Sequence, residues 1–166
     1  MAGRIEATTL VEAPREEVFD YLARLDNHWR LMDDSVHVLS LDGDGGAPDR
    51  AVVRMHGPMG IGRTAHTRVR EADRPRLLRG SASIGGRIDG ARRTEGVVSW
   101  RLEPEGSGTR VRLCAEVTRA GLADRLLLAL GGRAWMGARF RLGLEHLAER
   151  YAEPAAAPPP PARERA

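Results

Sequence analysis

His28, Trp29 and Met32 bring an imidazole, an indole N–H and a thioether into one short stretch of the chain. Such a group can hydrogen-bond a carbonyl or shuttle a proton while offering an apolar wall. Simple anchoring of a short helix on a sheet would also account for Trp29. Arg54 and Arg63 are the second candidate constellation. If residues 57–60 form a four-residue loop, the two arginines stand opposite each other on a hairpin. Like charges so placed repel unless both are solvated or share an anion. A carboxylate- or phosphate-bearing ligand between them is the sharper of those two expectations.

Other chemistries find little support. His28, His37, His56, His66 and His146 show no HxH or HExxH spacing, and the single cysteine, Cys114, excludes an internal disulfide and any zinc site built on two or more cysteines. No metal or cofactor is expected. Gly60-x-Gly62-x-x-Ala65 matches a dinucleotide fingerprint in form, but the residues after it alternate like a strand where that motif needs a helix. Every basic residue is Arg, so Schiff-base and lysine-nucleophile chemistry is excluded. Glu16-Glu17 and Asp33-Asp34 are explained by a helix start and a loop. Cys114 falls on the Arg110, Arg112, Glu116 face of its strand, away from any interior. No acid–base pair stands out, and the catalytic residues, if any, are unknown at this level.

These residues need elements to position them. Residues 4–11 read as a strand, and Pro14 followed by Glu16 and Glu17 opens a helix over about 14–25. Asn27 to Asp34 forms a second helical turn or loop carrying His28 and Trp29. From Ser35 the period changes to two. Strands are expected over 35–42, 50–56, 61–70, 76–84, 92–102 and 109–118, separated by turns rich in Gly, Asp and Pro. In the last two, Thr94, Gly96, Val98, Trp100 and Leu102, and then Val111, Leu113, Ala115 and Val117, define one apolar face. The chain becomes helical at Leu122 to Leu130, breaks at Gly131-Gly132, and continues helical over about 133–151. Met136, Phe140, Leu144, Leu147 and Tyr151 form a continuous apolar stripe there. About 19 residues give a rod of roughly 28 Å, and this helix is expected to cover the apolar face of the sheet. The fold class is therefore α+β, an antiparallel sheet of about seven strands wrapped on a long C-terminal helix, spanning 1–152. Residues 153–166 are expected to be a Pro/Ala-rich disordered tail.

Composition bounds the partners. The 166-residue chain has formal net charge +3 and a pI of about 9.9. Its arginines are interleaved with 23 acidic residues and form no basic run, so nucleic acid is not an expected partner. No apolar run approaches the roughly 18–20 residues that cross a bilayer, so stable membrane insertion is not expected. The N-terminal stretch lacks the apolar core of a secretory signal, and a cytoplasmic location is the default. LADRLLLALGG (122–132) is too apolar to be fully wet, which suggests a lid, a homodimer contact or a membrane-touching flap.

The element order and three motifs together resemble the START-like (SRPBCC) superfamily of helix-grip proteins, which includes polyketide cyclases and lipid-transfer domains. The motifs are VEAPREEVFDYLARLDNHWRLM (11–32), VVSWRLEPEGSGTRVRL (97–113) and FRLGLEHLAERYAE (140–153). HGPMGIGRT (56–64) with DGARRTEG is also similar to the carbon-monoxide-dehydrogenase accessory branch of that superfamily. The resemblance implies a cavity between sheet and long helix that takes a hydrophobic or amphipathic small molecule. It puts His28, Trp29, Met32, Met55, Arg63, Trp100, Leu113, Met136, Phe140 and Leu144 on its walls. Carrier, polyketide cyclase-like enzyme and accessory protein all remain open on these grounds. The enzyme reading requires polar groups, such as His28 with Arg63 or Arg92, to converge in the cavity.

Overall fold

The computed structural model describes residues 3–32, 34–43, 47–57, 60, 62–85 and 93–152. The expected tail at 153–166, Arg92 and most of the glycine-rich stretch at 85–90 lie outside them. In chain order the elements are β1 (Arg4–Val11), α1 (Arg15–Leu22), α2 (Leu25–Arg30), β2 (Val36–Asp42), β3 (Arg50–His56) and β4 (Gly62–Asp73). They continue with β5 (Leu77–Gly85), β6 (Thr94–Glu105), β7 (Gly108–Arg119), α3 (Leu122–Leu127), a kinked turn (Leu128–Gly132) and α4 (Arg133–Ala152). The seven strands form one sheet in the order β1-β7-β6-β5-β4-β3-β2. All neighbours pair antiparallel. The fold is the expected α+β helix-grip architecture.

Local chemistry explains most boundaries. Pro14 caps α1, Glu16 and Glu17 sit in its first turn, and Val18, Phe19 and Leu22 are its buried side. The expected single helix over 14–25 is instead two short ones, because the chain leaves the helix at Ala23–Arg24 before Leu25 starts α2. The β6–β7 hairpin turns through Gly106, whose φ of 59° favours glycine. Beside it, a Cβ on Gly108 would lie 2.5 Å from the carbonyl oxygen of Val11, so only glycine lets β7 pass so close to the end of β1. The buried Thr109 hydroxyl, one residue on, donates to the carbonyl of Ala13 at 2.8 Å.

One β6 and β7 face curves around the core. Val11, Phe19, Leu22, Trp100, Leu102, Val111, Leu113, Leu144 and Leu147 are buried there in one cluster, with Phe140 and Tyr151 packed against it. A second, smaller cluster of Leu25, Ala51, Val53 and Ala65 lies toward the β3–β4 end, bordered by Trp29, Val36, Met55, Val69 and Ile84. The expectation that the last helix alone covers the sheet needs correction. A straight helix cannot follow a strongly curved sheet. Accordingly α4 lies chiefly along β1 with lesser contact to β7, α1 reaches β6 and β7, and α2 reaches β2. Gly137 lies on the α4 face toward β1, where a Cβ would make an ordinary contact 3.9 Å from Ile5 Cγ2.

Candidate functional site

Between the sheet and its helices lie two small hollows along strands β4, β5 and β6. The first, of about 80 Å³, is bounded by Leu25, His28 and Trp29 of the α2 segment and by Val69, Leu78 and Trp100 of the sheet. The second, of about 90 Å³, lies under α3 and the start of α4, and its walls include Met55, Ile84, Leu127, Leu128, Trp135 and Met136. Strand periodicity sets them end to end. Thr67 of β4 borders the first and Arg63 the second, and Ala65 between them is buried at 2 % exposure. Small side chains make this room: Ala82 stands where Leu or Phe would fill the space, and Gly80 lets β5 lie close to β4, since a Cβ there would fall 2.7 Å from the carbonyl oxygen of Arg68.

His28 is held rigidly in the first hollow. Its Nε2 lies 2.5 Å from the carbonyl oxygen of Leu22, and its ring centroid lies 5.2 Å from that of Trp100. Burial lowers its pKa to about 4, against the opposing pull of the Leu22 carbonyl and Asp26. The ring is thus neutral at pH 7, Nε2–H is the donor to Leu22, and Nδ1 is left as an acceptor. Next to it, the buried indole Nε1–H of Trp29 has no acceptor among the described residues. A buried donor left unpaired costs about 1–3 kcal/mol.

The second hollow carries a different polar group at its rim. Arg63 of β4 bonds Asp124 of α3 at 2.5 Å, and the Thr94 hydroxyl of β6 donates to the other carboxylate oxygen. Burial of Asp124 pulls its carboxyl pKa up, but the hydrogen bonds from Arg63 and Thr94 outweigh that and hold it below the usual range. Asp124 is therefore a poor proton acceptor and a good clasp, fastening α3 to the sheet.

The structure sorts the expected residues into three groups. His28, Trp29 and Trp100 border the first hollow, and Met55, Arg63 and Met136 the second. Leu113, Phe140 and Leu144 belong to the packed core, while Met32 sits over Gly143 of α4. His28 and Arg63 do not converge, because they line different hollows. Nor do Arg54 and Arg63 face each other. Arg54 opposes Thr64 and Met55 opposes Arg63, so the hairpin is offset by one residue from the expected pairing. Because side chains alternate, that one residue puts the two arginines on opposite faces of the sheet. Thr94 and Asp124 went unnoticed as partners. The signal available for Asp124 was a lone carboxylate in the apolar run 122–132.

Among the described residues, no three His, Cys, Asp or Glu side chains are placed to hold a metal ion, and no helix is long and apolar enough to cross a membrane. α3 is amphipathic in an unusual sense. Leu127 and Leu128 border the hollow, whereas Leu122, Leu126 and Leu130 are 84 %, 60 % and 77 % exposed.

Comparison with known proteins bears on the same architecture. Among solved structures, a Thermus thermophilus protein is similar at 22 % identity, covering 90 % of this chain and 97 % of its own, with a TM-score of 0.58. An Arthrobacter aurescens protein matches at 16 % identity over 98 % of this chain and 93 % of its own, with a TM-score of 0.63. A Mycobacterium smegmatis protein matches at 16 % identity over 92 % of each chain, with a TM-score of 0.61. No curated protein matches significantly. The sequence profile described as "Polyketide cyclase / dehydrase and lipid transport" matches residues 2–152, the stretch that ends with α4. With sheet, helical cover and sequence profile in agreement, this chain belongs to the polyketide cyclase/dehydrase and lipid transport family.

Proposed function

We propose that the protein binds a hydrophobic or amphipathic small molecule, polyketide- or lipid-like, between the concave sheet face and its helices, as a carrier. The observation that carries this reading is the first hollow. Its walls are apolar, and they contain one unpaired donor, Trp29 Nε1–H, beside one neutral imidazole. Few polar groups in an apolar pocket is how small-molecule sites are commonly built. An acceptor such as a carbonyl or hydroxyl on the ligand would satisfy the indole. Typical sites enclose about 300–1,000 Å³, so a ligand of that size requires the hollows to join past Ala65 or α3 to lift. A cytoplasmic setting belongs to the same proposal.

The competing reading is a cyclase-type enzyme, and the cluster of Arg63, Asp124 and Thr94 at the second hollow favours it. They are satisfied by one another, and the carboxylate is held ionised. A general base with a pKa near the working pH is missing from that trio.

Native mass spectrometry after exposure to lipid and polyketide extracts tests the carrier reading. A retained apolar molecule, lost in Ala82→Phe, is expected. A protein that stays empty in every extract would overturn it. A retained molecule that leaves chemically altered would establish the enzyme instead.

A further inference from the structure

Single exposed leucines are ordinary on a protein surface, but a stripe of them is not. On α3 and the turn after it, Leu122, Leu126 and Leu130 recur every fourth residue and are all exposed, as is Ala129 beside them. Arg125 shares their face by helical spacing and is exposed as well. The inward side holds Asp124, which bonds Arg63 and Thr94, and Leu127 and Leu128, which border the second hollow.

Charge distinguishes what would cover the outer face. Between Glu116 and Glu145 the chain has five arginines, Arg119, Arg125, Arg133, Arg139 and Arg141, and one acid, Asp124, already paired with Arg63. This stretch alone therefore carries more positive charge than the net +3 of the whole chain. Val38, Leu39 and Leu41 of β2 are exposed too, but between Arg30 and Arg50 the chain has five aspartates and no arginine. Two α3 faces set against each other would oppose arginine to arginine, which is unfavourable. An anionic lipid surface accommodates both features of α3, with leucines among the acyl chains and guanidinium groups at the head groups.

We propose that the outer face of α3 docks the protein peripherally on anionic bilayers. Residues 122–132 span at most about 16 Å as helix, against roughly 30 Å for a hydrocarbon core, so the segment lies in the interface and does not cross it. Leu127 and Leu128 lie on the inner side of the same segment, so docking sets the second hollow at the lipid boundary. The docking face does not depend on a ligand in that hollow.

The test is co-sedimentation of the full chain with vesicles of phosphatidylcholine alone and of phosphatidylcholine with phosphatidylglycerol at three to one. The protein should bind the anionic vesicles about tenfold or more tightly than the neutral ones, and the advantage should shrink as salt is raised. Leu122→Gln/Leu126→Gln/Leu130→Gln should abolish binding to anionic vesicles. Arg119→Gln/Arg125→Gln should remove most of the anionic preference. Val38→Ser/Leu41→Ser, on the exposed strand with acidic surroundings, should leave binding unchanged. Circular dichroism should be intact in all three variants, because the altered side chains are exposed. Amide exchange should slow over 122–130 when anionic vesicles are added, and nowhere in β2. Absence of binding, or binding that survives the leucine variant, would overturn the docking face. Light scattering that shows self-association without vesicles, lost in the same leucine variant and joined by no vesicle binding, would assign the face to a second copy and overturn the proposal.

Discussion

At the β1–β7–β6 end of the sheet, Val11, Leu102, Val111, Leu113, Leu144 and Leu147 are each no more than 2 % exposed. At the β3–β4–β5 end, the same concave face carries Met55, Val69 and Ile84, all half-buried, and it borders both hollows. The composition explains the contrast. Large aliphatic residues from three sheet strands and from α4 meet at the first end. At the second, Ala51, Ala65, Gly80 and Ala82 face helices too short to fill the space they leave. One end of the sheet holds the domain together, and the other leaves space beside it. Long-helix folds of this kind thus need not sacrifice stability for a pocket, because the two are built from different strands.

Truncation tests this contrast most strongly. Leu147→Ala should cost about 2–5 kcal/mol by urea unfolding, as for other fully buried leucines. Met136→Ala, at the wall of an existing hollow, should cost less than about 1 kcal/mol because its removal only enlarges space already present. Equal costs would break the comparison.

The next largest effect concerns pH. His28 has a pKa of about 4 when folded and about 6.5 when unfolded. As pH falls, the unfolded chain takes up the proton first. The contribution is therefore fully present above pH 6.5 and is lost between pH 6.5 and pH 4, about 3 kcal/mol in all. Stability measured across that window should fall less steeply in His28→Gln, which keeps a donor for Leu22. An unchanged slope would mean that the helix α2 end is more open to water than its geometry indicates.

Thr109→Val sharpens the view of the packed end. It leaves the Ala13 carbonyl without its partner and should cost about 1–2 kcal/mol in the same unfolding experiment. The smallest global effect is expected from Arg63→Met. Cutting the clasp to Asp124 should lower overall stability by less than about 1 kcal/mol. Amide exchange should nevertheless quicken through 122–132 and remain unchanged in β6 and β7. Uniform acceleration would show that α3 is part of the main cooperative unit.

The sequence made the packed end readable and left the open end obscure. Strict alternation in β6 and β7 revealed which face is buried, and the Met136 to Tyr151 stripe pointed to the helix that meets it. Three of that stripe's expected pocket partners, Leu113, Phe140 and Leu144, are core residues instead, because periodicity reports burial and carries no information about leftover volume. The hairpin offset could not be counted from GPMGIG, where several loop lengths suit the glycines, and one residue decided the face of Arg63. The Arg63–Asp124–Thr94 contact joins three segments remote in the chain, and no local pattern announces such a meeting. His28 and Trp29 stood out in the sequence because a polar ring and an indole are conspicuous wherever they fall.

Gly131 has a mechanical consequence. It takes φ 120° inside the kinked turn that precedes α4, a backbone state that glycine enters cheaply. The nine residues before it form an arm of roughly 14 Å at 1.5 Å each, so a rotation of about 20° there moves its far end by roughly 5 Å. Leu127 and Leu128 ride on the same arm as Leu122 and Leu126, so the inner wall and the outer surface turn together. Were the backbone to turn there, the volume under α3 would change with it, and the Arg63–Asp124 ion pair would oppose the turn.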